Sequence, residues 1–204
     1  MKLFLASLAS ATLDLAYPLL PDKPSSLKLA FIPTAADPYG DIPMPWMQAE
    51  RDKLVRMGFL VTDYDLKDKD IDTLRNHLAN FQIIFVAGGN TFYLLSEVRK
   101  SGFDILVKEF LDRGGIYIGS SAGSIIMGPD LAHVLLVDHP EAVPALVDYG
   151  GLGFVNQRIL PHYGNEKYKD RHEKILAEWG TKLVPLRDNQ AVIVNDGETK
   201  IVTN

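Results

Sequence analysis

The sequence predicts an α/β protein, a mainly parallel sheet with helices on both faces. Strand-like apolar runs alternate with helix-like ones along nearly the whole chain, the pattern left by strands joined through helical crossovers. Two of the strand-like runs, LKLAFIPTA and QIIFVAGG, are continuously apolar, as strands covered on both faces must be. No internal repeat, low-complexity segment or linker interrupts the 204 residues, so one domain over residues 1–204 is expected.

KLFLAS opens the chain as a strand. With its Lys and the small residues that follow it also imitates a secretory signal, but one Lys is a thin charged region and SLASA suits a loop. LKLAFIPTA is the second strand. MPWMQAERDKLVRMG has apolar residues at helical spacing and stops at Gly58. FLVTDYDL is a strand, Asp72 is placed to cap the helix DTLRNHLANF, and QIIFVAGG is a buried strand ending in glycines. NTFYLLSEVRKSGF and FDILVKEFLDRGG read as helices, and IYIGSSAGSIIMG as strand, turn and helix start. Prolines and glycines make residues 128–153 a long excursion, placed to run over a site. QRILPHY is then a strand and EKYKDRHEKILAEWG a helix, with KLVPL, QAVIVND and ETKIVTN as strands closing the sheet.

Hydrophobic residues at 47% and charged ones at 23% supply a sizeable core. A net charge of −5 leaves no basic excess to neutralise phosphates, so nucleic acid is not an expected partner. The absence of cysteine excludes disulfides, thiolate metal sites and a cysteine nucleophile, and fits a cytoplasmic location. No run is apolar and long enough for a membrane span. No His and carboxylate cluster has metal-ligand spacing, so neither metal nor cofactor is expected.

The stretch GSSAGS carries the chemistry. Gly119-Ser120-Ser121-Ala122-Gly123 matches G-x-S-x-G between an apolar strand and a helix start, the context that a nucleophile elbow requires. Ser121 holds the central position; Ser120 and Ser124 read as loop and cap hydroxyls. A serine needs a base. Of five histidines, His77 and His172 fall in charged helical patterns and read as solvated, and His133 and His139 lie in the irregular middle. His162 ends a strand, where sites in open α/β sheets gather. Asp188, between two strand-like runs, is the candidate to orient it, with Asp196 and Glu198 as rivals that read as turn residues. The glycine pair Gly88–Gly89 is placed to offer an amide beside that of Ala122, as an oxyanion hole would need; a plain turn with Asn90 or Thr91 as helix cap fits the same residues.

FVAGGNTFYLL, IYIGSSAGS, LPHY and PLRDNQAVIV, in that order, resemble the aspartyl dipeptidase (dipeptidase E) family of serine peptidases, relatives of the cyanophycinases. The resemblance runs from the first strand to near the C-terminus. It implies a flavodoxin-like, three-layer fold of the class I glutamine amidotransferase type, with serine in place of cysteine. It implies Ser121 as nucleophile, His162 as base, Asp188 where the family often has Glu, and the amides of Gly89 and Ala122 as oxyanion donors. Gly88, Asn90 and Thr91 would line the substrate site, and Arg171, on the helix after the histidine, would hold an N-terminal aspartate side chain. Ser120 stands where the family commonly has an aromatic residue.

The function expected is therefore a cytoplasmic serine peptidase cutting dipeptides or short peptides through an acyl-enzyme, with N-terminal Asp as a secondary preference and a homodimer as a family-level expectation. Two alternatives keep the fold: a cyanophycinase-like hydrolase of aspartyl isopeptides, and a catalytically silent binding module.

Overall fold

The computed structural model describes residues 1–204. In chain order the elements are strand β1 (Lys2–Ala6), the short helix α1 (Ala9–Thr12), β2 (Lys28–Ile32), α2 (Pro45–Arg56), β3 (Leu60–Asp63), α3 (Ile71–Leu78) and β4 (Ile83–Val86). There follow α4 (Thr91–Ser101), α5 (Phe103–Asp112), β5 (Ile116–Ser120), the one-turn α6 (Ala122–Ile125), β6 (Arg158–Leu160), α7 (Lys169–Trp179), β7 (Leu183–Pro185), β8 (Gln190–Asn195) and β9 (Glu198–Thr203).

Seven strands form the main sheet in the order β3-β2-β4-β5-β1-β8-β9. The first five are mutually parallel, and the β8–β9 hairpin adds antiparallel to β1. The period of two along each strand divides the core in two. Leu3, Leu5, Ile84, Val86 and Tyr117 face the layer of α3 to α6, whereas Phe4, Ala6, Phe31, Phe85 and Ile118 face the layer of α1 and α2. β4 and β5 are buried along their whole length, which is why their sequences are apolar without alternation; the edge strands β3 and β9 are mostly exposed.

Two expectations change. QRILPHY and KLVPL do not join the main sheet: β6 and β7 pair parallel with each other in a separate two-stranded sheet. The free side of β1 is taken by β8, Lys2 opposite Asn195 and Ala6 opposite Ala191, so no edge there remains for them. Helix α3 is capped by Asp70, whose carboxylate accepts the Thr73 N–H at 2.8 Å, because the helix begins one residue before Asp72. The excursion 128–153 carries only two 3₁₀ turns and one bridge, Asp130 to Gly150, and its Val134, Val137, Asp138 and His139 border the cleft described next.

β4, β5 and β1 are adjacent and parallel, so their carboxyl ends bring Gly88–Gly89, Ser120–Ser121 and Ser7 side by side. β8 runs the other way, so its start lies beside the end of β1, with the Ser7 amide donating to Gln190 O at 3.2 Å. Asp188, two residues before β8, reaches the same rim.

Candidate active site

Ser121 occupies the turn between β5 and α6 with φ 48° and ψ −108°. This is a region a non-glycine residue enters at a cost of about 1–3 kcal/mol, so the surroundings must hold it there. The Ser121 amide donates to Ala6 O at 3.1 Å, and Ser124 Oγ donates to the same carbonyl at 2.8 Å. The flanking glycines are required by contact. A Cβ on Gly119 would stand 2.5 Å from Gly123 O, and one on Gly123 would stand 2.2 Å from Val86 O. Ser124 therefore ties α6 to β1 rather than capping a helix.

His162 Nε2 lies 3.0 Å from Ser121 Oγ, and His162 Nδ1 lies 2.6 Å from Asp188 Oδ1. The hydrogen bond from His162 and the attraction of its charge hold the Asp188 carboxyl below the usual aspartate range, against the opposing effect of burial; Ser7 and Asn165 add smaller contributions in the same direction. With Asp188 ionised, Nδ1 is the donor, and Nε2 presents its lone pair to the Ser121 O–H. His162 itself has φ 60°, and its amide donates to Ser7 Oγ at 2.7 Å while Ser7 Oγ donates to Asp188 Oδ1 at 2.9 Å. Asp196 and Glu198 lie away from this constellation: Asp196 pairs with the N-terminal ammonium at 2.9 Å, and Glu198 is an exposed residue of β9.

The remaining candidates separate. Gly89 has φ 145°, and a Cβ there would lie 2.1 Å from Ala35 O, so only glycine fits; its amide donates no hydrogen bond within the chain. Ala122 is the first residue of α6, where an amide has no partner within its own helix. Gly88 packs against Ser121, a Cβ on it falling 3.1 Å from Ser121 Cβ. Asn90 is buried with both ends of its amide bonded: Oδ1 accepts the Tyr93 amide at 2.8 Å as cap of α4, and Nδ2 donates to His139 O at 2.9 Å. Thr91 lines the cleft and gives its amide to Asp138 Oδ2 at 2.5 Å. Arg171 borders the cleft with its guanidinium 5.4 Å above the Tyr168 ring.

The cleft has two lobes meeting at Ser121 and His162. One contains Thr91, Asp138, Lys167, Arg171 and His172; the other contains Met44, Trp46, Glu50, Asn165 and Asp188. His172 is buried rather than solvated. Its ring stacks on Tyr168 at 5.6 Å, and Tyr168 stacks on His162 at 5.6 Å. Burial, and then the neighbouring positive charge of His162 and Arg171, push its pKa down, so a neutral ring backs the cleft. His133 is buried with Nε2 2.9 Å from Ile159 O, and His77 is exposed on α3.

Residues 10–202 match the model of peptidase family S51. The chain belongs to that family. An uncharacterized peptidase of Pasteurella multocida is 32% identical over 203 residues, covering 98% of this chain and 96% of the relative. A Drosophila melanogaster protein named as a probable alpha-aspartyl dipeptidase is 33% identical over 162 residues, covering 74% of this chain and 64% of that one. The crystal structure of a peptidase E candidate from Listeria monocytogenes EGD-e superposes with a TM-score of 0.91 at 28% identity, covering 100% of this chain and 98% of the other. Membership of family S51 identifies the chain as a peptidase.

Sequence reasoning missed Ser7, Glu50 and Tyr168. Ser7 carries a signal only once β1 is known to lie beside β5, since nothing local marks it. Glu50 was findable: it stands four residues before the buried Leu54, on the inward face of α2. Tyr168 sits on a turn set by Asn165, which accepts the Lys167 amide at 3.0 Å, and no pattern announces that.

Proposed function

We propose that this chain is a serine peptidase acting on dipeptides or short peptides through an acyl-enzyme. The observation that carries the reading is the hydrogen-bonded series from Ser121 Oγ to His162 at 3.0 Å and from His162 to Asp188 at 2.6 Å, with Ser121 at φ 48°. Ser121 Oγ attacks the scissile carbonyl carbon while His162 Nε2 takes the hydroxyl proton. The carbonyl oxygen becomes an oxyanion between the amides of Gly89 and Ala122, donors that need no reorganisation when the charge appears. Collapse breaks the C–N bond, and His162 returns its proton to the leaving amine. Water then attacks the ester with His162 as base, releasing the acyl product and restoring the Ser121 hydroxyl. Asp188 keeps the histidine in the working tautomer and stabilises the imidazolium.

The preference for N-terminal Asp rests on charge. Arg171 and Lys167 border the lobe next to Ser121, and a substrate carboxylate entering there meets two cations and the neutral His172. Gly88 and Thr91 line the cleft walls, while Asn90 holds the wall from behind. The fold is read as the class I glutamine amidotransferase type, supported by the elbow at the end of a central parallel strand.

A panel of Asp-X, Glu-X and Ala-X dipeptides with the wild type and Ser121→Ala tests the reading. Hydrolysis led by Asp-X and abolished in Ser121→Ala supports it. Hydrolysis that survives in Ser121→Ala refutes it.

A further inference from the structure

Glu50 is the one carboxylate of the chain with no exposed surface, and the proposed reaction leaves it without a task. It projects from α2 toward the end of β5, directly behind the nucleophile. Its Oε1 accepts the Ser120 hydroxyl in a short hydrogen bond and the Ala9 amide at 3.2 Å, and that amide also donates to Ser120 Oγ at 3.1 Å. Three atoms from β5, α1 and α2 thus close a triangle around the residue preceding Ser121. Its other oxygen, Oε2, is buried with no partner, although Glu50 borders the cleft lobe that also contains Trp46, Ser121 and Asp188. An apolar residue would fill the space without that cost, and a buried acceptor left unpaired calls for a reason.

We propose that Glu50 is a positioning residue for Ser121: as a carboxylate it grips the Ser120 hydroxyl and so holds the strained turn that aims Ser121 Oγ at His162. This rests on the assignment of Ser121 as nucleophile.

The left-handed turn at Ser121 must be imposed from both sides. On one side it is fixed by the two bonds to Ala6 O and by the Tyr117 hydroxyl, which donates to Gly123 O at 2.7 Å; on the other the Ser120 side chain is held by Glu50, and a charged acceptor holds a hydroxyl more tightly than a neutral one. Protonating Glu50 loosens the grip. Burial pushes its pKa up to about 7, with the bonds from Ser120 and Ala9 opposing, so this loosening falls near neutral pH. No ion pair reaches Glu50. On α2, Arg51 pairs with Asp63 of β3 at 2.7 Å, Lys53 pairs with Asp14 at 2.5 Å, and Asp52 accepts from Gln48 at 2.7 Å. α1 has no ionisable side chain, and Tyr117 of β5 faces the opposite core. From the cleft, Lys167, His162 and Asp188 border the same lobe, the last two bonded to each other.

The experiment measures the second-order rate of labelling by a fluorophosphonate from pH 5 to pH 9 for the wild type, Glu50→Gln and Ser120→Ala. Protonation of Glu50 should cost roughly tenfold on top of the protonation that silences the base, so the acid limb of log rate against pH should be steeper than one, reaching about 1.5. Glu50→Gln keeps the shape and one acceptor but never ionises. Its limb should have a slope of about one, with a rate at pH 8 roughly tenfold below wild type. Ser120→Ala removes the donor instead, and should show the same single slope. A Glu50 that only packs α2 against the sheet would alter melting temperature and leave the slope at its wild-type value. Equal rates and slopes in all three proteins overturn the inference alone. A wild type that does not label overturns the nucleophile assignment and this inference with it.

Discussion

The Ser7 hydroxyl donates to Asp188 Oδ1 at 2.9 Å while accepting the His162 amide at 2.7 Å. One oxygen at the end of β1 thereby fixes the carboxylate and the backbone of the histidine it orients. Each bond is worth about 1 kcal/mol, more where the acceptor is charged. Ser7→Ala should lower kcat by about tenfold with KM little changed, and should move the pKa of Asp188 toward that of free aspartate. Steady-state kinetics and carboxyl NMR titration check both effects.

Asp188→Asn should cost far more. The asparagine amide would donate to Nδ1 and leave Nε2 carrying the proton, the wrong tautomer for a base. A loss on the order of 10⁴ in kcat is expected, with folding unaffected by circular dichroism.

Gly89→Ala tests the oxyanion hole. The new Cβ would meet Ala35 O at 2.1 Å, so the loop must shift and carry its amide away from the cleft. A fall in kcat of about 10²–10³ with substrate binding retained is expected, measured by steady-state kinetics.

Arg171→Gln should raise KM for Asp-X dipeptides by about 10- to 100-fold and leave Ala-X substrates nearly unchanged, since the charge-assisted bond it removes exists only for an acidic side chain. An equal effect on both classes would assign Arg171 to support of the Tyr168 ring instead.

Stability and activity should diverge at Glu50. Its folded pKa, about 7, lies above the free value of 4.5. The stabilisation from holding it neutral is therefore complete below pH 4.5 and is lost as pH rises through 7, a swing of about 3 kcal/mol. Glu50→Gln should remove that pH dependence. Relative to wild type its melting temperature should be higher at pH 8 than at pH 5, while its rate at pH 8 is lower.

Much of the architecture was legible because buried parallel strands have no polar face to disguise. KLFLAS, LKLAFI, IIFV and IYIGS are central strands, and G-x-S-x-G located the turn because its glycines are demanded by contacts within a few residues. What stayed hidden depends on distant pairing. QRIL and KLVP have strand composition, but only the occupation of β1 by β8 excludes them from the main sheet. His172 carries the charged neighbours of a surface helix, yet the face it shares with Ile175 turns inward. Ser7 lies 155 residues from His162 and 181 from Asp188, and no local pattern records such a meeting.

The proposed reaction depends on Ser121 being an activated nucleophile. Incubation with a fluorophosphonate, followed by intact mass and peptide mapping of wild type, Ser120→Ala and Ser121→Ala, tests it most directly. One adduct is expected, on Ser121, present in Ser120→Ala and absent from Ser121→Ala. An unmodified wild type, or an adduct that persists in Ser121→Ala, would contradict it.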